Sequence, residues 1–436
     1  MKFGGSSLGN ADRIRHVAKL VKSRLREKPV VVVSAVGGIT DLLLEGAEKS
    51  LGSKNTDSLL AQIKEVHSEV TTSLGIDRAF LITFLQELST IYKGIKLLRE
   101  FSPRTWDLVA SFGERISARI MAAALEKDGV HAVALDAWEA GFITTSDYTQ
   151  SRLLPEAPLA IRKIITSLRA VPVITGFIGK DRQGHITTLG RGGSDFTASL
   201  IGASIGAKAI EIWTDVSGIM TADPRLIPEA HPLALVSFQE AAELSAFGAK
   251  VLHPNTIEPA VKKKIPVLVK NTFKPNDPGT TIISGHVKEP NLKAISLKKG
   301  ITTLNIYSSG MLEARGFLAK VFNLLEKHGL VVDVVTTSEV NVSMTLDHTD
   351  GLAAAKAELS EFADIDVVGN RAIICIVGEG LKSTPGISGR VFNILGKEKI
   401  NVEMISLGAS QINLTFVVDS KDAARAVKSL HRELFE

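Results

Sequence analysis

Up to about Gly285 the chain alternates short apolar runs with longer segments whose apolar residues recur every three to four positions. The runs Val30–Val33, His131–Leu135, Val171–Thr175, Ala209–Thr214 and Ile265–Lys270 have strand length, and several are apolar on both parities. Strands apolar on both sides belong to a sheet covered on both faces, the usual state of a parallel sheet between helices. Ala11–Leu25, Leu59–Leu74, Gly113–Lys127 and Leu159–Leu168 carry helical spacing. The alternation predicts a three-layer α/β domain with a mainly parallel sheet over residues 1–285.

Beyond the turn-rich stretches Asn276-Asp-Pro-Gly279 and Lys288-Glu-Pro-Asn291 the pattern changes. Arg315–Lys327 and Pro385–Lys397 match each other with glycine, Val-Phe-Asn, leucine and lysine in register, and both keep helical spacing. Each helix has a strand before it and a strand, a strand and a helix after it. That order leads to β-α-β-β-α-β, a ferredoxin-like α+β unit, over residues 293–370 and again over 371–436. The second copy runs out of chain before its last strand. Lys293-Ala-Ile-Ser-Leu297, apolar and ahead of the first copy, is expected to supply it, so that the two copies interleave.

Chemistry concentrates in loops at predicted strand ends, where open α/β sheets bind ligands. Gly190-Arg-Gly-Gly-Ser-Asp195 opens a helix, so glycines and helix N–H groups offer an anion site. Trp213–Arg225, W-T-D-V-S-G-I-M-T-A-D-P-R, ends a strand with Thr, Asp and Arg. Lys2-Phe-Gly-Gly-Ser-Ser7 puts a lysine on a very short strand, and Ser34-Ala-Val-Gly-Gly-Ile-Thr40 follows Val30–Val33. These loops suggest a phosphate-handling enzyme. Together with S-F-G-E-R (111–115) and F-G-A-K-V-L-H-P (247–254), in that order, they resemble the aspartokinases of the amino-acid kinase superfamily. The likeness runs from Met1 to Glu436, and the C-terminal repeats resemble paired ACT domains, most like those of lysine-sensitive members.

The resemblance implies transfer of the γ-phosphoryl of Mg-ATP to the side-chain carboxylate of L-aspartate, the first step of aspartate-family amino-acid synthesis. That carboxylate is ionised at neutral pH and needs no general base. Catalysis then rests on positioning and on cationic and N–H stabilisation of the phosphoryl oxygens. By the same resemblance Lys2 reaches the phosphoryl group, with Gly4 and Gly5 as backbone donors, and Asp195 orients Lys2, Mg2+ or the loop. Glu114 takes the substrate ammonium and Arg191 its carboxylate, while Ser34, Thr40 and Ser194 supply hydroxyls. Thr214 and Asp215 meet adenine and ribose, Met220 packs on the base where relatives usually have tyrosine, and Arg225, Lys250 and Val251 complete the ATP site. Mg2+ arrives with ATP, and no residues are assigned to a metal of the protein's own. Met311, Phe317, Leu318, Val332, Asp333, Ser338 and Glu339 correspond to the lysine effector site. A homodimer or larger assembly through the ACT-like repeats is implied. Two rivals are kept: a kinase for glutamate or acetylglutamate, and a catalytically idle amino-acid sensor.

Composition narrows the rest. At 436 residues, 44% hydrophobic and 22% charged, the chain has room for two or three domains. A net charge of +4 without a basic block gives no footprint for nucleic acid. The single cysteine, Cys375, excludes an internal disulfide and a cysteine-cluster metal site. No apolar run reaches the ~18 residues of a membrane span, and the first residues lack a signal pattern, so the cytoplasm is the expected compartment. There is no G-x-x-x-x-G-K-[ST], complete G-x-G-x-x-G or H-E-x-x-H motif, which argues against P-loop NTPases, dinucleotide dehydrogenases and zinc peptidases.

Overall fold

The computed structural model describes residues 1–436 except 53, 248–251, 286–291, 313–314, 408–411 and 436, together with the side chains of 382 and 383; the candidates Lys250 and Val251 therefore lie outside the described residues. The chain forms two compact units, Met1–Ile219 with Val251–Ser284, and Met220–Lys250 with Gly285–Glu436.

The first unit holds β1 (Lys2–Phe3), β2 (Val31–Val33), β3 (Ala132–Leu135), β4 (Ile143–Thr144), β5 (Val171–Thr175), β6 (Ile178–Asp181), β7 (Ile186–Thr188) and β8 (Ile210–Thr214). After β9 (Leu235–Ser237), which falls in the second unit, it adds β10 (Val267–Asn271) and β11 (Thr280–Ile283). Its main sheet runs β3-β5-β2-β1-β8-β10-β11, parallel except for the β10-β11 pair. Burial explains the runs apolar on both parities: Val31, Val32 and Val33 are all buried. Two-residue β1 sits between β2 and β8, and Phe3 stacks on Trp213 with ring centroids 6.0 Å apart. The loops leaving β5, β2, β1 and β8 consequently emerge side by side at one end of the sheet. A smaller sheet, β4-β6-β7, leads into the glycine-rich loop.

The helix expected over Gly113–Lys127 begins earlier and spans Pro103–Lys127. Ser102 caps it by accepting from the Thr105 N–H, and Pro103 sits at its first turn. Buried Asp107, Ser111, Glu114 and Ser117 interrupt the apolar period that would have revealed the full length. The helix Ala79–Leu98 was not among the expected elements, although Leu81, Phe84, Leu88, Tyr92 and Ile95 form its buried stripe.

The second unit contains β12 (Ala294–Tyr307), β13 (Val332–Thr337), β14 (Asn341–Leu346), β15 (Asp364–Val377), β16 (Met404–Ser406) and β17 (Asn413–Asp419) in the order β13-β14-β12-β15-β17-β16. Two of these strands are 14 residues long rather than short. Gly300 and Asn370, with φ of +78° and +57°, bend them where the register shifts. Ala294–Leu297 pairs with Ile374–Val377, and Thr303–Tyr307 pairs with Asp364–Val368. One half of the sheet therefore packs under the helix Phe317–Lys327 and the other under Ile387–Lys397, over separate apolar cores. The helices match as their sequences do: each follows a left-handed glycine, Gly316 at +84° and Gly386 at +81°. Cys375 is buried on β15, takes a hydrogen bond from Thr415 at 3.3 Å, and has its thiol pushed by burial up to about 12. Among the described residues no helix is long and apolar enough to cross a membrane.

Ile295, 2% exposed, packs in the core of the second repeat although it precedes the first in sequence. Ile295→Ala should cost about 2–5 kcal/mol. Hydrogen exchange checks where the damage falls. Protection should drop in 373–377 and 414–418 before it drops in 342–346, and the reverse order would contradict the pairing.

Candidate active site

Lys2 Nζ lies 2.7 Å from Asp195 Oδ1, with the two side chains 13% and 14% exposed. The pair joins the first residue of β1 to the first turn of the helix Gly193–Ile205. A Cβ on Gly4 would sit 3.6 Å from Lys2 Nζ, so the ammonium lies directly beside the bare Gly4 backbone. A cation, a helix N-terminus and glycine backbone in one place favour an anion.

Glycines set how closely the surrounding loops approach. A Cβ on Gly5 would come 2.9 Å from the Ala35 carbonyl oxygen, and one on Gly113 2.6 Å from Ala35 Cβ. One on Gly176 would meet Ser194 Oγ at 2.6 Å, and one on Gly193 would meet Phe177 at 2.6 Å. These distances are below those real Cβ atoms adopt, so K-F-G-G and S-F-G-E-R both lie against the S-A-V-G-G-I-T loop, and G-R-G-G-S-D lies against the Gly176-Phe177 turn. The Ser34 N–H donates to the Phe3 carbonyl at 3.1 Å, which fixes the second loop to the first. Ser34 and Thr40 are half-buried and Ser194 is buried. Arg191 is exposed between Gly190 and Gly192, both at positive φ.

Glu114 is 4% exposed, and burial pushes its carboxyl up to about 7. The Ala35 N–H, its own N–H and the Lys2 charge act in the opposite direction but do not cancel the burial. Its Oε2 has no hydrogen-bond partner among the described residues. A buried carboxylate with an open oxygen beside the loop ends is suited to receive a cation.

On the other candidates, Thr214 Oγ1 donates to Asp215 Oδ1 at 3.1 Å at the end of β8. Asn271 donates to the Asp215 carbonyl at 3.4 Å and to Ser217 at 3.0 Å, bracing the loop that follows. Met220 and Arg225 belong to the second unit, where exposed Arg225 pairs with Asp223 at 2.7 Å. The effector candidates all fall in the first repeat. Phe317 meets Phe362 edge-on at 5.7 Å, Leu318, Ser338 and Glu339 are exposed, and Asp333 receives Lys298 Nζ at 3.0 Å. Burial raises the Asp333 carboxyl against the pull of Lys298.

Several site-shaping residues escaped the sequence reading. Gly176 and Phe177 follow β5, and Phe177 adopts φ +68°, a conformation bulky residues rarely take, while its N–H donates to Thr197 at 3.0 Å. The glycine directly after a predicted parallel strand was the available signal. Asp107 and Thr188, buried under the glycine-rich loop, gave none.

Comparison with known proteins decides the family. The chain matches the amino acid kinase family over residues 1–271 and the ACT domain over residues 304–362 and 374–434. It is 42% identical to aspartokinase 1, chloroplastic, of Arabidopsis thaliana, over 100% of this chain and 80% of that one. It is 36% identical to the lysine-sensitive aspartokinase 3 of Escherichia coli, over 100% and 98%. The chain belongs to the aspartokinases. The crystal structure of E. coli aspartokinase III in complex with aspartate and ADP superposes with a TM-score of 0.83 at 33% identity, over 100% of this chain and 99% of that one. The Clostridium acetobutylicum aspartate kinase superposes at 0.84 with 31% identity, over 99% of each chain. As in other aspartokinases, the fold is an α/β kinase domain with a largely parallel sheet, followed by ACT domains.

In this aspartokinase Glu114 should titrate near pH 7 when the site is empty. Because its folded value exceeds the unfolded one, it favours folding at low pH, and that contribution is lost as pH rises through about 7. Carboxyl-carbon NMR, with Glu114→Gln for assignment, reads the titration. Lys2→Met should move it further up, and a midpoint near 4.5 would contradict the burial.

Proposed function

We propose that this aspartokinase transfers the γ-phosphoryl group of ATP to the side-chain carboxylate of L-aspartate, forming 4-phospho-L-aspartate, with the cytoplasm as its place of action. The observation that carries the reading is the Lys2–Asp195 pair at the end of the sheet, with the open Glu114 carboxylate sharing the field of Lys2. Lys2 meets the transferring phosphoryl group and Asp195 keeps its ammonium aimed. Glu114 takes the substrate ammonium and Arg191 its carboxylate; Ser34, Thr40 and Ser194 donate around them. Thr214, Asp215, Met220, Arg225, Lys250 and Val251 serve the nucleotide. The relative solved with aspartate and ADP supports both ligand classes.

Mg2+ takes one or two carboxylates beside substrate phosphates and keeps several waters. Asp195, a carboxylate beside the phosphoryl-reaching lysine, fits that demand. The ion would supply charge neutralisation on the phosphate oxygens, and the chain supplies the position.

Regulation by lysine through the first repeat is part of the reading. One structural relative was solved in complex with lysine and aspartate in a T-state. Here Lys298 already sits against Asp333 and Asp347, so this corner accepts an ammonium group. A homodimer through the ACT domains would let lysine bias two active sites at once, by binding one of two arrangements more tightly.

Trapping the acyl phosphate with hydroxylamine separates aspartate from its rivals. Aspartate should give hydroxamate with ATP and Mg2+, and glutamate or acetylglutamate should not. Product from glutamate alone overturns the substrate, and no product from any acceptor favours the idle sensor. Substrate ammonium must meet an ionised Glu114, so KM for aspartate should rise as pH falls from 8 to 6, and Glu114→Gln should flatten that slope. Lysine should lower wild-type activity and Glu339→Ala should be less inhibited; equal inhibition of both removes this effector assignment.

A further inference from the structure

We infer that Asp107 is a positioning residue for substrate binding: it ties the base of the Gly190–Gly193 loop to the helix that carries Glu114. This rests on the amino-acid substrate reading above. Asp107 is fully buried and lies seven residues before Glu114 on the helix Pro103–Lys127. Two turns separate them, so both carboxylates lie on one face about 10 Å apart along the axis.

Asp107 grips two segments at once. Its Oδ1 accepts from Thr188 Oγ1 at 2.7 Å and its Oδ2 from the Thr188 N–H at 3.0 Å. The Thr149 N–H donates to both oxygens, at 3.1 and 3.0 Å. Thr188 ends β7, and Leu189 and Gly190 lead from it straight into the loop bearing Arg191. The Thr188 carbonyl in turn accepts from the Ser151 N–H at 2.8 Å. Thr149 is held at φ +70°, unfavourable for a β-branched residue, and its carbonyl oxygen lies 3.2 Å from where a Gly190 Cβ would be. Asp107 therefore holds the strained turn against the first glycine of the loop.

The chemistry explains why a carboxylate stands there. Two N–H groups and a hydroxyl converge on one buried side chain, and only an acceptor-only group receives them all. An asparagine of the same shape must turn its NH2 towards one of the donors. The substrate carries an ammonium and a carboxylate at a fixed spacing, so Glu114 and Arg191 must keep theirs. The helix acts as the ruler, with Glu114 at one mark and the Asp107 grip on the Arg191 loop at the other.

The test is steady-state kinetics on the full chain, with wild-type hydroxamate formation from aspartate measured first, so that failure of the substrate reading shows there. Asp107→Asn should raise KM for aspartate about tenfold or more while KM for ATP stays within about twofold, since a small misplacement penalises the ligand that spans the loop and the helix. Thr188→Val, which deletes only the hydroxyl donor, should raise KM for aspartate about threefold, and Thr188→Ser should restore the wild-type value. Should Asp107→Asn fail to fold, the Thr188 pair decides. An unchanged KM for aspartate in folded Asp107→Asn overturns the inference. So does a parallel rise in both KM values, which is the mark of general loosening, or a Thr188→Val enzyme indistinguishable from wild type.

Discussion

The Lys2–Asp195 ion pair is the interaction on which the site depends. On the proposed reading a phosphoryl group moves between two anions and needs a cation at the meeting point, and a flexible lysine serves there only if something holds it. Asp195 does so at 2.7 Å, from a helix that starts about 190 residues after the lysine. Such a long-range meeting has a topological cause. Inserting β1 between β2 and β8 brings the first residues of the chain to the middle of the sheet. Being half-buried, the pair also escapes the screening that makes surface ion pairs nearly worthless.

The second constraint is backbone proximity. Gly5, Gly113, Gly176 and Gly193 each stand where a Cβ would collide with a neighbouring loop. Removing side chains lets neighbouring segments approach more closely than a Cβ would allow. The cost is conformational freedom, offset by the buried polar ties beneath: Asp107 to Thr149 and Thr188, and Phe177 to Thr197.

How much of this could be read from sequence depended on what generates periodicity. Val31–Val33 and Val171–Thr175 announce a covered parallel sheet because such strands are apolar on both parities, and the matching Val321-Phe-Asn and Val391-Phe-Asn runs announce the repeated helices. The loops were legible because glycine beside a strand end has few other uses. Two kinds of feature were not. The buried polar face of Pro103–Lys127 breaks the apolar count and hides both the start of the helix and Asp107. The fusion of strands into β12 and β15 depends on left-handed Gly300 and Asn370 within continuous strands, where such residues would ordinarily mark a turn.

A double-mutant cycle on kcat for Lys2→Met and Asp195→Asn tests the central claim that these residues act as one unit at the transfer point. Each single change should slow turnover strongly. The double variant should be no slower than the slower single within about threefold, because the second change removes nothing that still functions. A double variant slowed by the product of the two single losses would show that the two residues work separately, and would contradict the account.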